Sequence, residues 1–134
     1  MAQTLDQQRA AFAWDKAKAC TEEYRKLAKG APALIMGAGL MPALAFWQSA
    51  GSDTSQRGKA GKEFCGDLLA WLVRRFQTHK VFTPRPSNFK EVMDAMHEKA
   101  DSAFYMQATA EALEFLKWLR QFADAVKRPE TERE

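Results

Sequence analysis

Apolar residues recur along most of this chain at spacings of three and four, the signature of amphipathic helices. Over residues 5–29, Ala13, Trp14, Ala17, Cys20, Tyr24 and Ala28 fall on one face, while Asp15, Lys18, Glu22 and Lys29 fall on the other. The pattern predicts a single helix there, closed by Gly30 and followed by Pro32 in the first turn of the next helix. From about Lys62 to Thr78 the same period returns through Phe64, Leu68, Leu72 and Phe76, and Pro84 and Pro86 should end it. Asn88 with Glu91 three residues on reads as an N-cap with its reciprocal partner, opening a short helix through Val92, Met93 and Met96. Asp101 or Ser102 caps a last helix to about Lys127. Its apolar arc, widened by Phe104, Leu116 and Trp118, predicts contact with more than one neighbour.

Two stretches break the periodicity. Residues 51–61 are polar and glycine-spaced, which predicts an exposed loop. Residues 32–47, PALIMGAGLMPALAFW, carry no charge. A phosphate-binding loop would need Gly-Lys-Ser/Thr after its spacer, and a dinucleotide fingerprint a third glycine where Pro42 stands, so neither fits. Residues 31–50 are uncharged and long enough to span a bilayer, but two prolines, two central glycines and the polar faces of the adjoining helices speak against insertion. The remaining reading is an elbow between two helices, built on Gly37, Gly39 and Pro42. Gly39 supplies a positive φ there, and the whole elbow is expected in the middle of a bundle. No useful length of strand alternation occurs. The expected fold class is all-α, a compact orthogonal or bundled domain of about six helices over residues 1–128, with residues 129–134 as a disordered acidic tail.

Length and composition sharpen this only slightly. At 134 residues and 46% apolar content the chain can bury one real core. Its net charge of +3 proves no polyanionic partner, but the charge is unevenly distributed. Residues 1–90 hold fourteen basic and seven acidic side chains, a net of +7, whereas residues 91–134 hold six and ten, a net of −4. Cys20 and Cys65 lie far apart without metal-knuckle spacing and read as reduced thiols of a cytoplasmic protein. No secretory leader pattern opens the sequence.

Catalytic candidates are few. His79 reads as a solvated helix end, and His97 lies beside Glu98 and Asp101 with too few ligands for a metal site. Cys65 with His79 or His97 would make a nucleophile and base only if folding joined them. No catalytic residue, metal or cofactor is assigned. Cations are the better lead: Lys26, Lys29, Lys62, Arg74, Arg75 and Arg120 are candidates for contact with a nucleic-acid backbone. Several of these positions read as helix C-termini, where the helix dipole alone would favour a cation.

Three ordered blocks carry a resemblance: Y-R-K-L-A-K-G-A-P-A-L-I at 24–35, G-L-M-P-A-L-A-F-W at 39–47, and Y-M-Q-A-T-A-E-A-L-E-F-L-K-W-L-R-Q-F-A-D-A at 105–125. Together they resemble the small all-helical subunit of type III-B CRISPR RNA-guided effector complexes, over about residues 24–127. The resemblance implies a noncatalytic subunit present in several copies, stacked along the repeated backbone subunit beside the large subunit. It also implies that the subunit holds target RNA against the guide, with no membrane partner. The family pattern has Asn before the elbow glycine, where this chain has Ala38. Two other readings stay open from the residues: a helical adaptor that binds only protein, and a small hydrolase using Cys65 with His79 or His97.

Overall fold

The computed structural model describes residues 2–50 and 55–126. Among these the chain is all-α: α1 (Leu5–Ala17), α2 (Glu22–Ala38), α3 (Leu40–Ala50), α4 (Gln56–Arg75), α5 (Phe89–Glu98) and α6 (Ser102–Ala125), with one 3-10 turn, Lys80–Phe82, between α4 and α5. The expected tail, 129–134, lies outside the described residues, as do positions 51–54 of the expected loop and Lys127 at the expected end of the last helix.

The long α6 organises the fold. Its wide apolar arc packs against α1 on one side and α2 on the other and touches α4, as the arc's width predicts. Asp101 opens it by accepting the Phe104 N–H at 2.8 Å. α2 runs antiparallel to α6, for Arg25 near the start of α2 pairs with Asp124 at 2.9 Å, while the far end of α2 lies beside Tyr105. α3 returns against α4, and α5 also packs on α4. The core is strongly aromatic: Trp71 stacks on Phe115 with centroids 5.4 Å apart, and Phe64 takes the edges of Trp47 and Tyr24 at 4.8 and 5.4 Å.

The structure corrects three expectations about element boundaries. Residues 5–29 are two helices, because the Thr21 hydroxyl accepts the Tyr24 N–H at 3.1 Å and Glu22 and Glu23 then sit in the first turn, where the helix dipole favours them. Gly30 does not stop α2, and Pro32 lies inside it. The buried stripe Tyr24, Ala28, Ala31 and Ile35 spans these two residues, so a break there would expose Ala31 and Ile35 and outweigh the lost backbone bond. Finally, α4 begins six residues before Lys62. Ser55 caps it by accepting the Gly58 N–H at 3.1 Å. Gly61 serves packing: a Cβ there would stand 3.2 Å from the Trp47 carbonyl oxygen.

The elbow turns on Gly39, at φ 100° and ψ 161°, a single residue between α2 and α3. Gly37 has ordinary helical geometry, and Pro42 occupies the first turn of α3. With Ala38 offering no side-chain oxygen, the start of α3 is capped from afar: the Met41 N–H donates to the Tyr105 hydroxyl at 2.9 Å. The elbow is only half inward. Leu40, Ala43, Leu44 and Trp47 are buried, but Met36, Pro42, Ala45 and Phe46 face outward. The bundle-middle expectation fails because helices of this width bury one stripe each, and the stretch supplies apolar residues to both sides.

Candidate nucleic-acid interface

The shift in helix boundaries changes what the cations mean. Arg25, Lys26 and Lys29 lie in the N-terminal half of α2, not at a helix C-terminus, so the helix dipole does not account for them. Arg25 is neutralised by Glu22 and Asp124, whose hydrogen bonds also push its pKa upward. Lys26 and Lys29 are exposed and make no ion pair among the described residues, and the same holds for Arg120 on α6. Lys29 and Arg120 face each other across a hollow of about 80 Å³ between α2 and α6, whose other walls are Arg25, Gln121 and Asp124.

The remaining candidates sit elsewhere. Lys62 stands at the rim of a groove of about 350 Å³ between α4 and α5, with Leu69, Val73, Phe89 and Val92 as apolar walls. Arg74 is exposed at the end of α4, its guanidinium 5.8 Å from the centre of the Phe12 ring, over which Lys16 also lies at 5.2 Å. Arg75 turns inward: its Nε donates to Glu111 at 3.1 Å and its guanidinium lies 4.7 Å from the Phe76 ring centre. The structure therefore brings Lys29 and Arg120 together, with Lys26 nearby in sequence on α2, and leaves Lys62 and Arg74 at separate places.

The partner of Arg75 is the feature that sequence reasoning misses. Glu111 is a carboxylate only 4% exposed. It accepts from Arg9 Nε and Nη2, both at 2.7 Å, from Trp71 Nε1 at 3.0 Å and from Arg75. Burial alone would push its pKa up, but hydrogen bonds from Arg9 and Trp71 and the charges of Arg9 and Arg75 outweigh it, so the carboxyl sits below its ordinary range. The signal in the sequence is one acid in the middle of an apolar stripe, Phe104, Glu111 and Trp118 at seven-residue spacing, which demands a buried cation.

The nucleophile candidate and the two histidines have different neighbours. Cys65 is buried, donates weakly to the Leu44 carbonyl at 3.4 Å, and burial pushes its pKa up to about 12, so the thiol stays protonated at neutral pH. His79 is not a solvated helix end: its Nδ1 accepts the Val81 N–H at 3.1 Å and its ring packs 4.3 Å from Phe104, which caps the 3-10 turn. His97 is exposed and faces Asp94 at 3.7 Å. Among the described residues no group of three His, Cys, Asp or Glu side chains is placed to hold a metal, and no helix is long and apolar enough to cross a membrane.

Among the described residues, an all-α body, unpaired cations converging on one helix pair and an uncharged outward elbow together define a small helical protein whose distinctive features are contact surfaces. The family follows from most of the chain: the family model described as CRISPR-associated protein (Cas_Cmr5) matches residues 5–126, and the chain belongs to that family. No curated protein matches the chain closely enough to count as a relative.

Proposed function

We propose that this chain is a noncatalytic small subunit of a type III-B CRISPR ribonucleoprotein effector, a single helical domain that works in the cytoplasm. It stacks with adjacent copies of itself along the repeated backbone subunit and beside the large subunit, and holds target RNA against the guide through phosphate contacts. The observation that carries the RNA part is the convergence of Lys29 and Arg120 across one hollow, both without carboxylate partners among the described residues and with Lys26 exposed on the same helix. Exposed cations left unpaired among the described residues suit a polyanion that arrives from outside. Lys62 and Arg74 contribute at most from other faces, and Arg75 serves the buried Glu111 instead.

The test is assembly of the effector with Lys29→Glu and Arg120→Glu combined, followed by target-RNA retention across a salt series. Retention should fall, and its salt dependence should flatten by about one unit for each phosphate that no longer meets a cation. Unchanged retention in an intact complex would remove the role given to these two residues.

One observation favours the adaptor reading alongside it. The outward face of α2 and α3, with Met36, Pro42, Ala45 and Phe46, is apolar and lies in a stretch without charge, which suits docking on protein neighbours. If acidic substitution at Lys29 and Arg120 leaves RNA retention intact while substitution at Met36 and Phe46 abolishes assembly, the protein-only adaptor is the better description.

A further inference from the structure

Two hollows share Arg120 and Gln121 as walls: the small one between α2 and α6, and a larger one of about 400 Å³ on the α1 side of α6, lined also by Asp6, Glu114, Lys117 and Trp118. The Trp118 ring is half-buried and braced from one side by Phe122, with centroids 5.8 Å apart, and Phe122 in turn takes Trp14 edge-on at 5.4 Å. The two carboxylates are already engaged, Asp6 with Arg9 at 2.8 Å and Glu114 with Lys117 at 3.1 Å. What remains along this seam is an aromatic wall, then the guanidinium of Arg120, unpaired among the described residues, then the ammonium of Lys29.

That sequence of groups is what one nucleotide of a single strand needs: a rigid π-surface for the base, and cations at successive positions for the phosphates on either side. A base within a duplex has both faces covered by its neighbours and cannot use the ring. We infer that the seam across α6 holds an unpaired nucleotide of RNA, its base stacked on Trp118 and its flanking phosphates on Arg120 and Lys29. The inference rests on the RNA-contact reading above and adds to it a base contact, which needs a target nucleotide left unpaired by the guide, and with it a preference for unpaired over paired RNA. Stacking is indifferent to base identity, so the site selects strandedness and not sequence.

The test uses the full-length chain at low salt and fluorescence anisotropy with three labelled probes: a twelve-nucleotide oligouridine, the same length of abasic ribose-phosphate chain, and a blunt duplex of that length. Oligouridine should bind more tightly than either of the others. Trp118→Ala should weaken oligouridine about 5- to 100-fold while leaving the abasic probe unchanged, and Trp118→Phe should restore most of the loss. Arg120→Glu should weaken oligouridine and the abasic chain alike. If wild-type protein binds the abasic chain as tightly as oligouridine, or Trp118→Ala lowers both equally, base stacking is wrong while the phosphate contacts stand. If no probe binds, the seam is not an RNA site. If Trp118→Ala leaves RNA binding intact and instead blocks assembly with protein subunits, the aromatic wall is a protein contact.

Discussion

Arg9 and Glu111 lie 102 positions apart and meet through two hydrogen bonds of 2.7 Å. The fork of one guanidinium on one carboxylate ties α1 to α6, and Trp71 and Arg75 bring α4 into the same knot. A buried charge with every partner in place fixes how three helices register, and it becomes costly once a partner is removed.

Glu111→Ala should therefore destabilise the chain by about 3–5 kcal/mol in urea unfolding, since it leaves Arg9 and Arg75 without their shared carboxylate. The double substitution Arg9→Met with Glu111→Leu should recover most of that loss, because apolar packing of similar volume needs no charge partner. A loss below about 1 kcal/mol for the single change would show that the knot is not buried in solution.

The pH dependence carries two opposite signs. The pKa of Glu111 is depressed, so its contribution is present above its ordinary value of 4.5 and is lost as pH falls through the lower, folded-state value. Burial raises Asp67, despite the hydrogen bond from Tyr24, and burial with the charge of Asp67 raises Glu63. For these two, stability is greatest below their ordinary values of 3.8 and 4.5 and declines as pH rises through their folded-state values. Denaturation midpoints between about pH 3 and 7 should show Glu111→Gln flattening the acid side and Asp67→Asn flattening the decline above it. A midpoint curve unchanged by both would contradict the assignment.

Two glycines of the elbow should respond in opposite directions to alanine. Gly39→Ala forces a Cβ into a backbone region open in practice only to glycine and should cost about 1–3 kcal/mol, even though Pro42 Cδ stands no closer than 3.5 Å. Gly37→Ala meets nothing within 4 Å, lies in a helix, and should stabilise by about 0.5–1 kcal/mol. Thermal melts of the two variants decide this, and a shared sign would refute it.

Tyr105→Phe should cost about 1 kcal/mol and loosen the start of α3, because the Met41 N–H loses its acceptor. Hydrogen exchange would report it as faster exchange at the Met41 amide with α6 unaffected. Equal protection in both proteins would show that water replaces the hydroxyl at no cost.

The count of six helices among the described residues agrees with expectation because the break at Thr21 replaces the one expected at Gly30, whereas the caps at Asn88 and Asp101 and the turn at Gly39 were legible because each depends on neighbours in sequence. Even there the reciprocal bond differs from expectation, since the Glu91 carboxylate accepts from Ser87 at 2.8 Å. The break at Thr21 was hidden by an apolar period that runs straight through it, although Thr-Glu-Glu is itself a start signal. Gly58 and Gly61 read as loop because the reason for Gly61, the close approach of α3, is tertiary. The candidate interface was legible as residue types only: proximity of Lys29 to Arg120, and withdrawal of Arg75 to Glu111, follow from how α2, α4 and α6 pack.

The long-range cap on α3 also bears on descent. The glycine at 39 and the hydroxyl at 105 belong to two separate blocks of sequence, yet they serve one turn, with Tyr105 Oη 3.7 Å from where a Gly39 Cβ would stand. Substitutions at these positions should travel together through the lineage. A descendant that lost the tyrosine would be expected to acquire a capping side chain just before the elbow, so the two blocks count as one inherited unit, not two.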